Sequence, residues 1–185
     1  MAPGLLLAAA SAAVAGPVNL STWTAEGAGT WTVASGNTSV VQSINGTPTV
    51  FYSDFNGQGQ VLSGKIKVET TSDDDFIGFV LGFQPGDVAD TSTDFILIDW
   101  KQADQSGFSC LGKRGLAVSR VTGGLPNAAS SWCHTGTTTE LARGSTLGSV
   151  GWSDNTEYDF DLIFTAGNIQ VKVNGNTELN INGSF

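Results

Sequence analysis

The 185-residue chain has little positive charge and few of the side chains on which most enzyme chemistry depends. It contains eight Lys and Arg against seventeen Asp and Glu, one histidine and two cysteines, and its formal net charge is −9. Nucleic-acid binding needs clustered Lys and Arg that neutralise phosphates. The composition therefore argues against a nucleic-acid partner, and is compatible with a divalent cation or with solubility alone.

The scarcity of glutamate and histidine also argues against catalysis. A glycosidase needs two carboxylates that face each other across a sugar, and no glutamate alternates with another acid on a predicted strand. Asp159 and Asp161 alternate, but on the polar face of an amphipathic strand. A Ser-His-Asp site would depend on His134, and the chain has no Gly-x-Ser-x-Gly motif. We therefore predict that the chain is not an enzyme, with a glycoside hydrolase as the least favoured alternative.

Long apolar runs are missing too, and the longest one lies at the N-terminus. Leu5 to Ala15 is shorter than the ~20 residues that cross a bilayer as a helix. A short run that ends in Ala13-Val14-Ala15 is typical of a secretory signal, although no Lys or Arg precedes it. We predict that residues 1–16 are a signal-peptide-like segment and that the protein is secreted or at the cell surface, without a transmembrane segment. The alternative is a first apolar strand.

The two cysteines, Cys110 and Cys133, are predicted to form a disulfide, because an even count in a secreted chain favours pairing. The bond would enclose 22 residues. A zinc site is the alternative, but His134 is adjacent to Cys133 and the usual ligand spacings are absent.

Helical periodicity is absent, and alternation of apolar and polar residues recurs instead. The clearest examples are YDFDLIF at 158–164 and IQVKV at 169–173. Other short candidates are 30–33, 39–42, 49–55, 61–70, 76–83, 94–100 and 116–121. About ten short strands with polar turns predict an all-β fold, a two-sheet antiparallel jelly-roll sandwich. We expect 107–143 to consist of long loops around a single strand.

The two most apolar strands, 76–83 and 94–100, are predicted to pair as an antiparallel hairpin with Gly78 beside Asp99. Their strong apolar character predicts that 76–83 lies inside a sheet rather than at its edge. Period-2 alternation places six residues on the face that points to the core: Ile77, Phe79, Leu81, Ile96, Ile98 and Trp100.

The opposite face of this hairpin is a candidate ligand-binding surface. It carries Gly78, Gly82 and Asp99, and a floor of small residues with one acid would suit a shallow groove. In the alternative interpretation, the glycines only let a neighbouring strand or loop approach closely.

Several motifs together resemble the thrombospondin C-terminal domain. They are DDDFIGFVLGFQ, then FILIDWKQ, then SWCHTG, then SVGWSDNTEYDFDL. The resemblance covers about residue 23 to the end and implies a concanavalin-type, L-type lectin-like jelly roll, of the kind found in secreted bacterial proteins. Asp99 replaces an apolar residue of the animal domains, and Cys133 is inserted between Trp132 and His134.

The triplet Asp73, Asp74 and Asp75 is a candidate calcium site. Three adjacent carboxylates repel one another unless a cation or solvent screens them, and calcium accepts loop carboxylates and carbonyls. The resemblance adds that thrombospondin C-terminal domains are rich in calcium. We predict that the triplet binds calcium together with Asp54 and Asn56 of a neighbouring turn. The alternative is a solvated acidic turn that ends a strand.

The sequence thus predicts one domain over residues 17–185, a secreted, calcium-dependent binding or adhesion module. Its ligand would be a glycan or an extracellular protein; the alternative is a structural matrix or cell-surface domain without a small ligand. The resemblance also implies a further strand beyond Phe185. We expect 168–173 and 177–181 to form a hairpin across Asn174-Gly175, in a sandwich that lacks this strand.

Overall fold

The computed structural model describes residues 16–125 and 128–185. The predicted signal-peptide-like segment lies outside these residues, apart from Gly16. The helices are a 3₁₀ turn (Leu20–Thr22) and α1 (Ala128–Cys133). The strands are β1 (Thr24–Gly27), β2 (Trp31–Val33), β3 (Val40–Gln42), β4 (Thr49–Tyr52), β5 (Gln60–Ile66), β6 (Phe76–Leu81), β7 (Phe95–Lys101), β8 (Gln105–Gly107), β9 (Cys110–Gly112), β10 (Gly115–Val121), β11 (Thr138–Arg143), β12 (Tyr158–Phe164), β13 (Asn168–Val173) and β14 (Asn176–Asn182).

Two four-stranded antiparallel sheets face each other. The first has the order β11-β10-β7-β6 and the second the order β14-β13-β12-β5. Smaller two-stranded ribbons are β1-β4, β2-β3 and β8-β9. The predicted all-β, two-sheet antiparallel sandwich is confirmed.

The hairpin of β13 and β14 is confirmed as well. Val173 pairs with Asn176, and the two residues between them have the left-handed backbone of a tight hairpin turn, with φ 49° at Asn174 and 79° at Gly175. Asn-Gly suits this turn because both residues tolerate positive φ.

The main core lies between the two sheets. The predicted pairing of Gly78 with Asp99 is present, so alternation directs one face of β6 and β7 inward as expected. Ile98 and Trp100 are fully enclosed, whereas Ile77 and Phe79 on β6 are half-buried. From the second sheet, the buried residues of this core are Phe160, Leu162, Phe164, Ile169, Val171, Val173 and Leu179.

The expected position of 76–83 inside a sheet is wrong. Within the described residues, β6 is the edge strand of the first sheet and pairs with β7 alone. Its apolar character follows from the covering of both its faces: Phe79 packs on Phe160 inside, and Phe76 packs on Trp132 outside. An apolar strand sequence indicates that the faces of the strand are buried. It does not indicate that both edges of the strand are paired.

The segment 107–143 is more regular than predicted. It contains β9, α1 and β11 in addition to β10, and β9 pairs with β8 in a hairpin. Helix α1 has six residues, which is too short for a helical period to show in the sequence. This segment covers part of the outer face of the first sheet, since Trp132 at the end of α1 lies against Phe76.

The other part of the outer face is covered by the β1-β4 ribbon. Val50 of β4 packs with Phe95, Val121 and Leu125 in a second apolar cluster. The carboxylate of Glu26 accepts hydrogen bonds from the backbone N–H groups of Gly86 and Val88, at 2.9 Å each. The ribbon is thereby fastened to the loop between β6 and β7.

Candidate functional site

The acidic triplet lies in the turn that leads into β6. One carboxylate oxygen from each of Asp73, Asp74 and Asp75 lies within 4.8 Å of the others. The turn is tightened by the backbone N–H of Asp75, which donates to Oδ1 of Asp73 at 3.1 Å. The three side chains lie together because a turn, unlike a straight strand, can direct neighbouring residues to one point.

A buried lysine lies beneath the triplet. The ammonium group of Lys101, on β7, is completely enclosed and lies 3.7 Å from the carboxylates of both Asp74 and Asp75. It donates hydrogen bonds to the carbonyl of Asp74 at 2.8 Å and to Oε1 of Gln105 at 2.9 Å. One positive charge against three negative ones leaves a local charge of −2, which one divalent cation would neutralise.

The charge of the triplet is therefore only partly compensated by the protein. Burial and then the repulsion of Asp73 raise the pKa of Asp75, although Lys101 acts in the opposite direction. The turn is also fixed from the second sheet's side, where Nε1 of Trp152 donates to the carbonyl of Asp75 at 3.2 Å. Hard carboxylate oxygens in a fixed turn are the donors that calcium prefers.

The structure does not bring Asp54 and Asn56 to the triplet. Both residues line a cleft together with Leu81 and Gly82, at the opposite end of β6. The six residues of β6 separate the two places by ~20 Å. The sequence places both acidic turns next to strands, but it does not show to which end of the sandwich each turn belongs.

Asp99 lies on the outer face of the first sheet, as predicted, but it is not exposed. It is 3% accessible, and its Oδ2 is 2.8 Å from Nε2 of His134. The other ring nitrogen of His134 lies 3.0 Å from Oε2 of Glu140, which also receives Arg143 at 2.9 Å. These side chains form a row of alternating charge that is buried at Asp99 and His134 and half-buried at Glu140 and Arg143.

Burial and the neighbouring charges shift the pKa values of the members of this row. Burial raises the pKa of Asp99, against the hydrogen bond and charge of His134. Burial alone would lower the pKa of His134, but the hydrogen bonds and charges of Asp99 and Glu140 outweigh it, so that the pKa of His134 is raised. Burial opposes ionisation of Glu140 as well, yet the hydrogen bonds of Arg143 and His134 lower its pKa.

The two glycines proposed to line the groove have separate structural reasons. A Cβ on Gly78 would overlap the carbonyl of Ile98, so this glycine permits the close approach of β7. Gly82 has φ 78°, a left-handed backbone that ends β6, and it lines the cleft at that end. The geometry of Gly78 favours the alternative of close backbone approach, and that of Gly82 a left-handed turn. A ligand-binding role for Gly78, Gly82 and Asp99 stays a prediction.

The predicted disulfide between Cys110 and Cys133 is confirmed, with Cα atoms 5.9 Å apart. It joins β9 to the end of α1 and so holds Trp132 over the sheet. The role of His134 was missed by sequence reasoning. The signal was the unusual acid at position 99, which as a buried carboxylate needs a partner.

The cleft lined by Asp54 and Asn56 is a further candidate site. Its volume is about 640 Å³, within the common range for ligand pockets. Leu81 and Phe164 form its apolar floor, and Tyr52 contributes to its wall. Polar side chains from the first sheet, from its β6–β7 loop and from the 53–58 turn form its rim: Asp54, Asn56, Gln58, Gln84, Asp94 and Arg120.

The two-sheet antiparallel sandwich, with an acidic turn before an edge strand and one disulfide, defines a β-sandwich domain. Within it, the family model of the thrombospondin C-terminal region matches residues 26–184. The chain belongs to this family.

Individual relatives agree with the family assignment. The chain is 33% identical over 147 residues to thrombospondin-3b of Danio rerio and 31% identical over 157 residues to thrombospondin-3 of Homo sapiens, alignments that cover 71% and 77% of the chain. It is 31% identical over 144 residues to the cartilage oligomeric matrix protein of Rattus norvegicus, covering 71% of the chain. The matched region spans 15%, 16% and 18% of these three relatives, so their whole-protein activities do not transfer directly.

Proposed function

We propose that the chain is an extracellular binding or adhesion module in which Asp73, Asp74 and Asp75 hold a calcium ion. The observation that carries the proposal is the gathering of three carboxylates against one buried ammonium. The ion would supply the missing positive charge and fix the turn before β6. Calcium takes six to eight oxygen ligands, so water would complete the set that three side chains begin.

The extracellular location is supported by the disulfide and by the family. Disulfides persist in oxidising compartments and are rare in the cytosol, and one relative is by its name a matrix protein. None of the helices in residues 16–125 and 128–185 combines the length and hydrophobicity that a transmembrane span requires.

The ligand of the module would be a glycan or an extracellular protein. The cleft of about 640 Å³ favours a binding role, because it combines aromatic walls with a polar rim. A structural matrix domain without a small ligand is the second candidate, favoured by the covering of the outer face of the first sheet by α1. A glycan array probed with and without EDTA tests the glycan ligand: calcium-dependent binding would support the binding module, and binding in neither buffer would leave a protein ligand or a structural domain.

Thermal unfolding tests the calcium site. Sites of this kind in extracellular modules have dissociation constants of ~10⁻⁴–10⁻³ M, and saturation at ~100 times that constant adds ~2.7 kcal/mol. We expect calcium to raise the melting temperature of the wild type and Asp74→Asn to remove most of that increase, while changing little in EDTA.

Asp54→Asn is the matched control, because Asp54 is an exposed acid remote from the triplet. It should melt like the wild type in both buffers. If the triplet is only a solvated turn, the wild type will melt at one temperature with and without calcium, and Asp74→Asn will be neutral or stabilising in both.

A further inference from the structure

The β8-β9 hairpin ends in an exposed apolar tip. Phe108 is 59% exposed and Leu111 44% exposed. Phe108 and Ser109 form the turn with left-handed backbones, φ 50° and 65°. The exposed Lys113 and Arg114 follow directly. We call Phe108, Leu111, Lys113 and Arg114 the knob.

The knob is held rigidly. Cys110, two residues beyond Phe108, is bonded to Cys133 at the end of α1. The indole of Trp132 supports the hairpin from below, 6.0 Å from the ring of Phe108. A side chain that is already ordered loses little conformational entropy on binding, and exposed aromatic and Arg side chains are those that contribute most at protein interfaces.

The cleft at the other end of the sandwich has the complementary character. Its lining combines apolar and polar groups, and its rim carries Asp54 and the Asp94–Arg120 pair, so that its local charge is negative. At about 640 Å³ it could hold about twenty waters, each occupying ~30 Å³ of liquid, which is ample room for a hairpin tip. Among the described residues, the two exposed phenylalanines are Phe108 on the knob and Phe55 beside the cleft.

The knob and the cleft lie at opposite ends of β7. The cleft is lined by Phe95 and Ile96 where β7 begins, and the knob follows Lys101 where β7 ends. The seven residues of the strand separate them by ~23 Å. One copy therefore cannot insert its own knob into its own cleft, but a second copy can.

We propose that the knob of one molecule inserts into the cleft of a second copy of this chain. The contact joins unlike surfaces, so it leaves a free knob at one end and a free cleft at the other. Such head-to-tail contacts do not close in a dimer and continue into chains or rings. Because the knob is basic and the rim is acidic, opposite charges favour knob-to-cleft contacts over knob-to-knob contacts.

Sedimentation velocity over a wide range of protein concentrations tests this association. We expect the sedimentation coefficient of the wild type to rise with concentration beyond that of a dimer. Phe108→Ser should weaken the association about tenfold or more, because an exposed aromatic anchor is lost. The double variant Asp54→Lys with Gln58→Trp, which reverses a rim charge and fills the mouth of the cleft, should do the same.

Mixing the two variants gives the decisive result. Phe108→Ser keeps an intact cleft and the cleft variant keeps an intact knob, so the mixture should form one-to-one dimers that grow no further. Val61→Ser, at an exposed apolar residue (58%) that belongs neither to the knob nor to the lining of the cleft, should associate like the wild type. Circular dichroism and melting temperature confirm that each variant is folded.

Three outcomes would overturn the proposal. They are a wild type that stays monomeric up to its solubility limit, a Phe108→Ser variant that associates normally, and a cleft variant that associates normally. The last result would point to a symmetric knob-to-knob contact instead.

Discussion

At the scale of single residues, His134 is held by two carboxylates. Its ring nitrogens lie 2.8 Å from Asp99 and 3.0 Å from Glu140. Both hydrogen bonds can form only if both ring nitrogens carry a proton, or if one nitrogen does and the carboxyl group facing the other nitrogen is itself protonated. The other charged groups on this face are Arg143, which pairs with Glu140, and Lys101, which lies under the acidic triplet.

The stability of the protein should therefore fall as the pH rises above the ordinary pKa of histidine, 6.5. A raised pKa in the folded state means that folded His134 binds its proton more tightly than the unfolded chain. Its contribution is complete below pH 6.5 and is lost as the pH rises through the raised value. The raised pKa of Asp99 acts in the same direction from pH 3.8 upward.

His134→Gln should remove the histidine part of this pH dependence and cost about 3 kcal/mol, because it leaves the buried carboxyl group of Asp99 without its cationic partner, whereas Glu140 keeps Arg143. Urea unfolding at a series of pH values measures both effects. A wild type whose unfolding free energy is flat across the neutral and mildly alkaline range would contradict this prediction.

Gly112 is a second residue with a specific requirement. A Cβ at this position would lie 2.7 Å from the indole of Trp132. Gly112→Ala should therefore destabilise the protein by ~1–3 kcal/mol through overpacking. Gly64→Ala is the matched control, since Gly64 is also in a strand but has no atom within 4 Å of an added Cβ. Thermal unfolding of the pair should separate them, and equal melting temperatures would refute the clash.

At this scale, the sequence predicted the acidic triplet and the cysteine pair because each is a local or countable feature. It could not predict the partners of Asp99. His134 and Glu140 are distant from Asp99 in the sequence. Glu140 reaches this face through the pairing of β11 with β10 and of β10 with β7, and His134 through its position directly after α1.

At the scale of elements, the disulfide fastens α1 to the β8-β9 hairpin. It spans 23 positions in the sequence, and a loop of this length predicts a contribution of about 3 kcal/mol from the entropy of the unfolded chain. Replacing both cysteines with serine should lower the unfolding free energy by about that amount.

The same variant should also loosen α1 and the hairpin locally, which hydrogen exchange resolves. Amides of β8, β9 and α1 should exchange faster than in the wild type, while those of β12 and β13 in the second sheet should change only through global unfolding. Uniform acceleration across the chain would show that the disulfide stabilises the whole fold and does not specifically hold this segment.

Most strands were predictable because a sandwich strand buries one face and so alternates. Tyr158–Phe164 agrees at both ends with the predicted 158–164. The element β11 was missed because its sequence, TTELAR, carries polar residues on the face that meets His134. The edge position of β6 was missed because both its faces are covered, and alternation carries no information about edges.

At the scale of the whole molecule, the two sheets are unequally covered. Central strands β7, β10, β12 and β13 have partners on both sides, whereas β6 and β11 of the first sheet and β5 and β14 of the second are edge strands among the described residues. Strands β5 and β6 differ in that their inward side chains are poorly covered. Ile77, Phe79 and Ile66 on these edges are only half-buried. One side of the sandwich is therefore more open than the other.

Native-state hydrogen exchange should show this gradient. Amides of β7 and β13 should exchange only by global unfolding, and those of β5 and β6 should open with a smaller free energy, because edge strands lose fewer contacts when they separate. Equal protection of β6 and β13 would indicate that β6 has a partner on its free edge.

The connectivity of the sheets also determines the order in which they can assemble. The strands of the first sheet follow one another as a meander, with only β8-β9 and α1 inserted between neighbours. In the second sheet, Ile66 of β5 pairs with Tyr158 of β12, across 92 positions of sequence. Closing so long a loop is entropically costly and slows folding. Strand β5, which is half apolar, therefore stays unpaired until nearly the whole domain has been synthesised. During this interval the nascent chain is most exposed to misassembly with its neighbours.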